Sequence, residues 1–267
     1  MITSMTNQRV KRIVQLNKGA GLRKKEDVFV AEGIKMFLEA PEEKLEEVYI
    51  SENFSGHCEL PGEDGKKIKE KLESCGYETV SEEVFAKISD TQAPQGILFV
   101  VRQQHYMLED MLQQEKTPLF LVLENIQDPG NLGTILRSGE GAGVNGIIMS
   151  RDTADIYNPK VIRATMGSVY RVPFCYEEDL ERAIGRMKDA GTEILAAHLS
   201  GEKSYEQCDY RKASAFLIGN EGNGLTEATA ALADTKVKIP MAGKVESLNA
   251  AVAASLLMFE AARQRRM

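Results

Sequence analysis

Three times between Leu119 and Asn249 the sequence makes the same change: an apolar run ends in Gly, Pro and Asn, and a helix-like pattern resumes. Leu119-Phe120-Leu121-Val122-Leu123 leads into Asn125-Ile126-Gln127-Asp128-Pro129-Gly130-Asn131-Leu132-Gly133. Ala213 to Ile218 leads into Gly219-Asn220-Glu221-Gly222-Asn223-Gly224-Leu225. Val237 to Ile239 leads into Pro240-Met241-Ala242-Gly243 and on to Ser247-Leu248-Asn249. Strand, loop and helix in that order are how an α/β protein presents loops at the carboxyl ends of its strands, where ligands bind. The unbroken run at Leu119–Leu123 marks a parallel strand covered on both faces. Three such loops in one region predict a site.

Upstream, the pattern builds a second domain. Thr6 or Asn7 can cap a helix reaching about Asn17, with Val10, Ile13, Val14 and Leu16 as its apolar face. Gly19-Ala20-Gly21 breaks that helix and leaves Arg23-Lys24-Lys25 in a loop. Strands are expected at Val28–Val30, Leu45–Ile50, Tyr77–Val80 and Gly96–Val101, and helices at Gly33–Glu39, Gly65–Ser74 and after a cap at Ser81. Such alternation makes a small α/β/α domain. The expected organisation is a domain over 1–104, a linker over 105–116 carrying a short helix, and a second domain over 117–267. Within the second domain, Asn131 caps a helix to Glu140, Pro159–Thr165 is a short helix, and a long helix from Ser247 to Arg265 closes the chain.

At 267 residues, 43% of them hydrophobic, the chain can bury two cores. A net charge of −7 excludes a uniformly basic nucleic-acid binder. The charge is segregated, however. From Met1 to Lys25 every charged side chain is basic (Arg9, Lys11, Arg12, Lys18, Arg23, Lys24 and Lys25), and the acids begin at Glu26. An unopposed cluster of that kind is what a polyanion-binding face needs, although a solvated surface helix would read the same way. Cys58, Cys75, Cys175 and Cys208 are scattered, and His57, His105 and His198 are isolated. No metal site or disulfide framework follows, and reduced thiols in a cytoplasm are expected. The chain starts without an apolar leader, and no run is long enough to span a bilayer. Gly141-Ala142-Gly143-Val144-Asn145-Gly146 matches the spacing of a dinucleotide loop, but it follows a helix and precedes a strand. That is the reverse of the required context, so a nucleotide-binding oxidoreductase is rejected.

Taken together, the three loop segments resemble those of the SpoU-type RNA 2′-O-ribose methyltransferases, members of the knotted SPOUT superfamily. Asn125-x-x-Asp128-Pro129-x-Asn131-x-Gly133-x-x-x-Arg137 is similar to their first motif. Gly219-Asn220-Glu221-Gly222-x-Gly224-Leu225 is similar to the second, and Ile239-Pro240-Met241-x-Gly243-x-x-x-Ser247-Leu248-Asn249 to the third. Asn158-Pro159-Lys160 and Arg163-Ala164-Thr165-Met166-Gly167 resemble the segment between motifs, and Val28-Phe29-Val30-Ala31-Glu32-Gly33 the start of a ribosomal-protein-like substrate domain. Ser138-Gly139 and Ala250-Ala251 depart from the commoner residues without touching the polar positions.

The resemblance implies an α/β fold: a parallel-sheet methyltransferase domain closed by a C-terminal trefoil knot, an exception to the rule against threaded chains. It also implies a small N-terminal substrate-binding domain. S-adenosyl-L-methionine is the implied cofactor, held by Leu217, Gly219, Asn220, Glu221, Gly222, Ile239, Met241, Leu248 and Asn249, with loop glycines letting main-chain N–H groups come close. No metal is implied. Arg137, Asn131, Glu221, Ser247 and Asn249 become the catalytic set. Arg9, Arg12, Arg23, Lys24, Lys25, Lys160 and Arg163 become RNA contacts. The implied activity is methyl transfer to a ribose 2′-hydroxyl of structured RNA by a homodimer. Ribosomal RNA, 23S above all, is favoured over transfer RNA because a separate substrate domain suits a large target. The competing expectation is a non-catalytic RNA-binding relative.

Overall fold

A computed structural model of the chain describes residues 1–54 and 63–267. His57 and Cys58 lie outside the described residues. The chain packs as two units, Met1–Gln104 with Asp155–Tyr170, and His105–Ala154 with Arg171–Met267. The sequence boundaries assign 155–170 to the second domain, whereas its packing is with the first unit.

In the first unit the elements run α1 (Gln8–Lys18), α2 (Ala20–Glu26), β1 (Val28–Glu32), α3 (Ile34–Glu39), β2 (Leu45–Ser51), α4 (Glu63–Cys75), β3 (Glu78–Val80), α5 (Glu82–Ile88) and β4 (Ile97–Arg102). The sheet order is β1-β4-β2-β3, with β4 antiparallel to β1 and β2, and β3 parallel to β2. The two expected caps are present: the Asn7 side chain accepts from the Arg9 N–H, and Ser81 from the Val84 N–H. Val10, Ile13 and Leu16 of α1 and Val84, Phe85 and Ile88 of α5 cover one face through Val28, Val30, Leu98 and Val100. Alternation along β4 turns Phe99 the other way, edge-on to Phe37 of α3 at 5.4 Å. Tyr157, from the later segment, stacks on Phe29 at 4.7 Å, and its hydroxyl donates to the Gln104 carbonyl at 3.0 Å.

Gly19 to Gly21 do not open a loop. Gly19 is one extended residue, after which α2 restarts and carries Arg23, Lys24 and Lys25 in its last turn. Arg23 is 4% exposed. Its guanidinium donates to Asp155 Oδ2 at 2.6 and 3.1 Å and to the Leu16 carbonyl at 2.5 Å, which satisfies a charge that would otherwise be costly to bury.

The second unit contains α6 (Leu108–Gln113), β5 (Leu119–Leu123), α7 (Pro129–Ala142) and β6 (Gly146–Ser150). After α8 (Pro159–Thr165), which lies in the first unit, come β7 (Phe174–Glu177), α9 (Leu180–Asp189), β8 (Glu193–Ala197), β9 (Lys203–Ser204), β10 (Ser214–Ile218), α10 (Glu227–Ala231), β11 (Thr235–Lys238) and α11 (Ala250–Arg265). The sheet order is β7-β6-β5-β10-β8-β11-β9, and every pairing is parallel. All five residues of β5 are buried, as its unbroken apolar run requires. The short helix expected between domains is part of this core: α6 buries Leu108 and Met111 against Phe120, Ile184 and Met187.

From β5 the chain works outward through β6 to β7, then returns to lay β8 and β10 on the other side. The direction of winding therefore reverses between β5 and β10. In open parallel sheets that reversal leaves a crevice at the carboxyl ends of the strands. α11 packs on α7 and buries Ala250, Ala251, Ala254, Leu257 and Met258; at Gly139 of α7 an added Cβ would lie 3.7 Å from Met258 Sδ.

Candidate active site

The loops after β5 and β10 flank that crevice, and their side chains join them. Asn125 takes a left-handed backbone (φ 56°), which Asn tolerates better than most residues, and its N–H donates to Ser150 Oγ at 2.8 Å. Pro129 opens α7, and the helix is capped by Asp128, whose Oδ1 accepts from the Asn131 N–H at 2.7 Å. The cap is thus Asp128 rather than Asn131. Proline at the first helical position is the signal that favours it. Asn131 falls in the first turn with its amide side chain available for other contacts.

Those contacts are the centre of the site. Glu221, from the loop after β10, accepts from the backbone N–H groups of Gln127 (3.1 Å) and Asp128 (3.0 Å) and from Asn131 Nδ2 (3.0 Å). Asn131 Oδ1 accepts in turn from Asn249 Nδ2 at 2.9 Å. Asn249 is the N-cap of α11, its Oδ1 accepting from the Ala251 and Val252 N–H groups. One chain, Glu221–Asn131–Asn249, therefore ties all three motifs together. Burial alone would push the Glu221 carboxyl up, but the donors from Asn131, Asp128 and Gln127 outweigh it and hold the group below its ordinary value.

The glycine-rich loop is preformed. Asn220 and Gly224 exchange two backbone hydrogen bonds, and Asn220 Oδ1 accepts from the Gly222 and Asn223 N–H groups. Asn220 Nδ2 reaches the Asn125 carbonyl at 2.8 Å. A Cβ on Gly219 would lie 2.1 Å from the Gly224 carbonyl carbon and the Leu225 nitrogen, so no side chain fits there. Gly222 has no such constraint: its Cβ would meet only Asn220 Oδ1, at 3.5 Å. The expectation that loop N–H groups face a ligand is corrected for Asn220, Gly222, Asn223 and Gly224, whose N–H groups already have partners within the loop. Leu217 is corrected as well. It is 0% exposed, lies in the core, and is registered with Val122 and Ala196 on either side, so it supports the loop from beneath.

Unpaired backbone is found on the third motif. Among the described residues, positions 239 to 248 make no backbone-to-backbone hydrogen bond outside the sheet ladders and helices. Ile239, Met241 and Leu248 are half-buried there, and Ser247 is exposed without a side-chain bond. A rigid glycine loop beside a half-apolar strip with free main-chain donors and acceptors suits a ligand with a flat heteroaromatic ring and a polar tail. Arg137 is exposed on α7, and among the described residues it makes no ion pair or hydrogen bond. Six residues beyond Asn131, it lies about 120° around the helix and about 9 Å along it.

Of the expected RNA contacts, Lys24, Lys25 and Lys160 are exposed and make no ion pair among the described residues. Arg23 is corrected: buried and bonded to Asp155, it is not presented to a phosphate. Arg12 faces Glu26, Glu47 and Glu46 at 2.6, 3.1 and 3.9 Å, Arg9 faces Glu78, and Arg163 faces Asp90. Three arginines of the basic N-terminal stretch, Arg9, Arg12 and Arg23, are therefore opposed by acids, while Lys24 and Lys25 are not. Sequence reasoning passed over Glu124, whose carboxylate accepts from the Thr226 N–H and from the hydroxyls of Thr226 and Thr229. Its position, an acid ending an apolar strand beside the first motif, is the signal that could have found it. Among the described residues no cluster could hold a metal, and no helix is long and apolar enough to cross a membrane.

Residues 118–259 match the model of the SpoU rRNA methylase family, and residues 7–98 that of the MRM3-like substrate binding domain. The 23S rRNA (guanosine-2′-O-)-methyltransferase RlmB of Neisseria meningitidis serogroup B is 31% identical over 227 residues, spanning 82% of this chain and 87% of the relative. The 23S rRNA (guanosine(2553)-2′-O)-methyltransferase RlmP of Bacillus subtilis is 31% identical, spanning 67% and 70%. The crystal structure of an AdoMet-bound rRNA methyltransferase from Sinorhizobium meliloti aligns over 98% of this chain and 97% of its own with a TM-score of 0.83 and 31% identity. With the three motifs joined at the crevice of a parallel sheet and over half the chain matched, this protein belongs to the SpoU rRNA methylase family.

Proposed function

We propose that the protein transfers a methyl group from S-adenosyl-L-methionine to a ribose 2′-hydroxyl of 23S ribosomal RNA. The observation that carries this reading is the Glu221–Asn131–Asn249 chain, which joins the three motifs at the winding reversal in a chain whose relatives are named for that reaction on that RNA. The donor, when bound, supplies an electrophilic methyl group; as its S–CH3 bond breaks it leaves as S-adenosyl-L-homocysteine, and the proton of the 2′-hydroxyl passes to water. Gly219 and the loop closed by Asn220 form one wall for it, and the free backbone of 239–248 the other. Asn131, fixed on both sides by Glu221 and Asn249, keeps the first turn of α7 in register with both walls. Arg137 is the cation for the acceptor. A guanidinium does not give up its proton in a protein, so its part is to orient the ribose and stabilise the forming alkoxide by a charge-assisted bond.

The same reading includes a homodimer. Val252, Leu256 and Phe259 are exposed on the face of α11 opposite its buried alanines, and with Thr134 of α7 they line a groove of about 460 Å³. A helix apolar on both faces calls for a cover on each, and a second copy of the same helix pair supplies one. Return of α11 to α7 and β10, after β11 has been laid beyond β8, supports the trefoil closure. Lys24, Lys25 and Lys160 are the RNA cations this reading retains, and the cytoplasm, where ribosomal RNA is made, is its compartment. Mapping 2′-O-methyl sites in ribosomal and transfer RNA with and without the gene tests it. Loss of one site in 23S RNA is expected. A site lost from transfer RNA would move the substrate, and no lost site in a chain that binds the donor would favour the non-catalytic relative.

A further inference from the structure

Resting on that assignment of the donor loop, we propose that Glu124 is a positioning residue for methyl-donor binding, holding the far end of the loop after β10. Two carboxylates cross the winding reversal in opposite directions. Glu221 leaves the second loop to bond Gln127, Asp128 and Asn131 on the first. Glu124 leaves the first segment, directly after β5, to bond the residues that end the second. Its Oε2 accepts from the Thr226 N–H at 2.8 Å, and its Oε1 from Thr226 Oγ1 at 2.8 Å and Thr229 Oγ1 at 2.5 Å.

Thr226 is where the loop stops and α10 starts, and its hydroxyl also caps that helix by accepting from the Thr229 N–H. The near end of the loop is fixed by the close approach of Gly219 to Gly224 and Leu225, and its middle by Asn220. The Glu124 N–H donates to the Ile218 carbonyl at 2.9 Å, so the residue that grips the far end is itself bonded to the strand end from which the loop leaves. Without Glu124, the Thr226 N–H would lose its acceptor and the Thr226 and Thr229 hydroxyls would be left with only each other as acceptors, at 3.0 Å. Glu124 reaches no reacting atom. Its effect is on the shape the donor meets.

The test uses the full chain and three variants, E124A, E124Q and T226A. Calorimetric titration with S-adenosyl-L-methionine is set beside limited proteolysis of the loop without donor, with circular dichroism to establish folding. E124A is expected to raise the donor Kd about tenfold, as loss of charge-assisted bonds implies, and to open the 219–226 segment to cleavage. E124Q keeps an acceptor for the Thr226 N–H and should restore most of the affinity. In steady state KM for the donor should rise with kcat at saturation little changed, a split that general destabilisation would not give. A folded E124A with donor Kd and cleavage like wild type overturns the proposal. Should E124A fail to fold, T226A decides: it keeps the backbone bond and deletes the hydroxyl, and an unchanged Kd would be just as fatal. Absence of donor binding by the wild-type chain would overturn the underlying assignment too. Wild-type binding with unaffected variants would overturn this proposal alone.

Discussion

Replacing Glu221 by glutamine isolates the charge at the centre of the site. Its Oε1 accepts from the Asp128 N–H and Asn131 Nδ2, its Oε2 from the Gln127 N–H. A glutamine oxygen can keep the first pair, but its amide nitrogen then meets the Gln127 N–H donor to donor. One lost bond at about 1 kcal/mol, plus about 0.5 kcal/mol for each of two that lose their charge assistance, gives roughly 2 kcal/mol, taken low because the group is solvent-facing. For a unit of this size that is a fall of about 4–8 °C in the midpoint of its unfolding transition by scanning calorimetry. The pH dependence gives a second check. The folded carboxyl lies below its ordinary value of 4.5, because the donors from Asn131, Asp128 and Gln127 overcome the upward push of burial. Its stabilisation is therefore complete above the unfolded value and is lost as pH falls through the folded one. The gap between wild type and E221Q should be full at neutral pH and narrow in acid. A gap under about 1 °C at neutral pH, or one that widens on acidification, would show that the Glu221 charge does not hold the loops together.

Three further outcomes are expected. Gly219→Ala should abolish donor binding and lower the melting temperature, since its Cβ would collide with the backbone at Gly224 and Leu225, whereas Gly222→Ala should bind the donor within about threefold of wild type. Equal behaviour of the two in a calorimetric titration would refute the loop packing. Arg137→Ala should keep its fold and donor affinity and lose methyl transfer to RNA, and near wild-type turnover would remove Arg137 from the mechanism. Arg23→Ala should destabilise the first unit by about 1.5–3 kcal/mol, because the charge-assisted bonds to the part-exposed Asp155 are lost. Neutralising Lys24 and Lys25 should instead leave stability alone and flatten the salt dependence of RNA binding by about 0.7–0.9 per contact; an unchanged slope would make them a solvated surface.

The parts of this protein that could be read from its sequence are those decided by neighbours along the chain. β5 and α8 fall where periodicity and proline placed them, Asn7 and Ser81 cap the helices they precede, and the residues that bond across the site lie in the three loops singled out by density of Gly, Pro and Asn. What was misread depends on residues far away. Arg23 looks like a free cation until Asp155, 132 positions on, is found against it, and Arg12 until Glu46 and Glu47 are folded beside it. Leu217 belongs to a strand that resembles the edge of a ligand site, but pairing on both sides takes its backbone and the core takes its side chain. The break at Gly19 was visible. That α2 restarts at once was not, because the anchor holding it is the buried Arg23.

The placement of Asp155–Tyr170 sets an order of events in synthesis. Arg23 leaves the ribosome 132 residues ahead of Asp155, an interval of about 7–26 s at roughly 5–20 residues per second. Phe29 waits a similar time for the ring of Tyr157. Once β4 has emerged the first unit has its helices and sheet but no counterion for its inward-facing guanidinium, and it stays incomplete until about a third of the other unit has followed. A fragment ending at Gln104 reproduces that unfinished state permanently, so the N-terminal unit of this chain cannot be cut out, or exchanged for another, at the point where the sequence appears to divide.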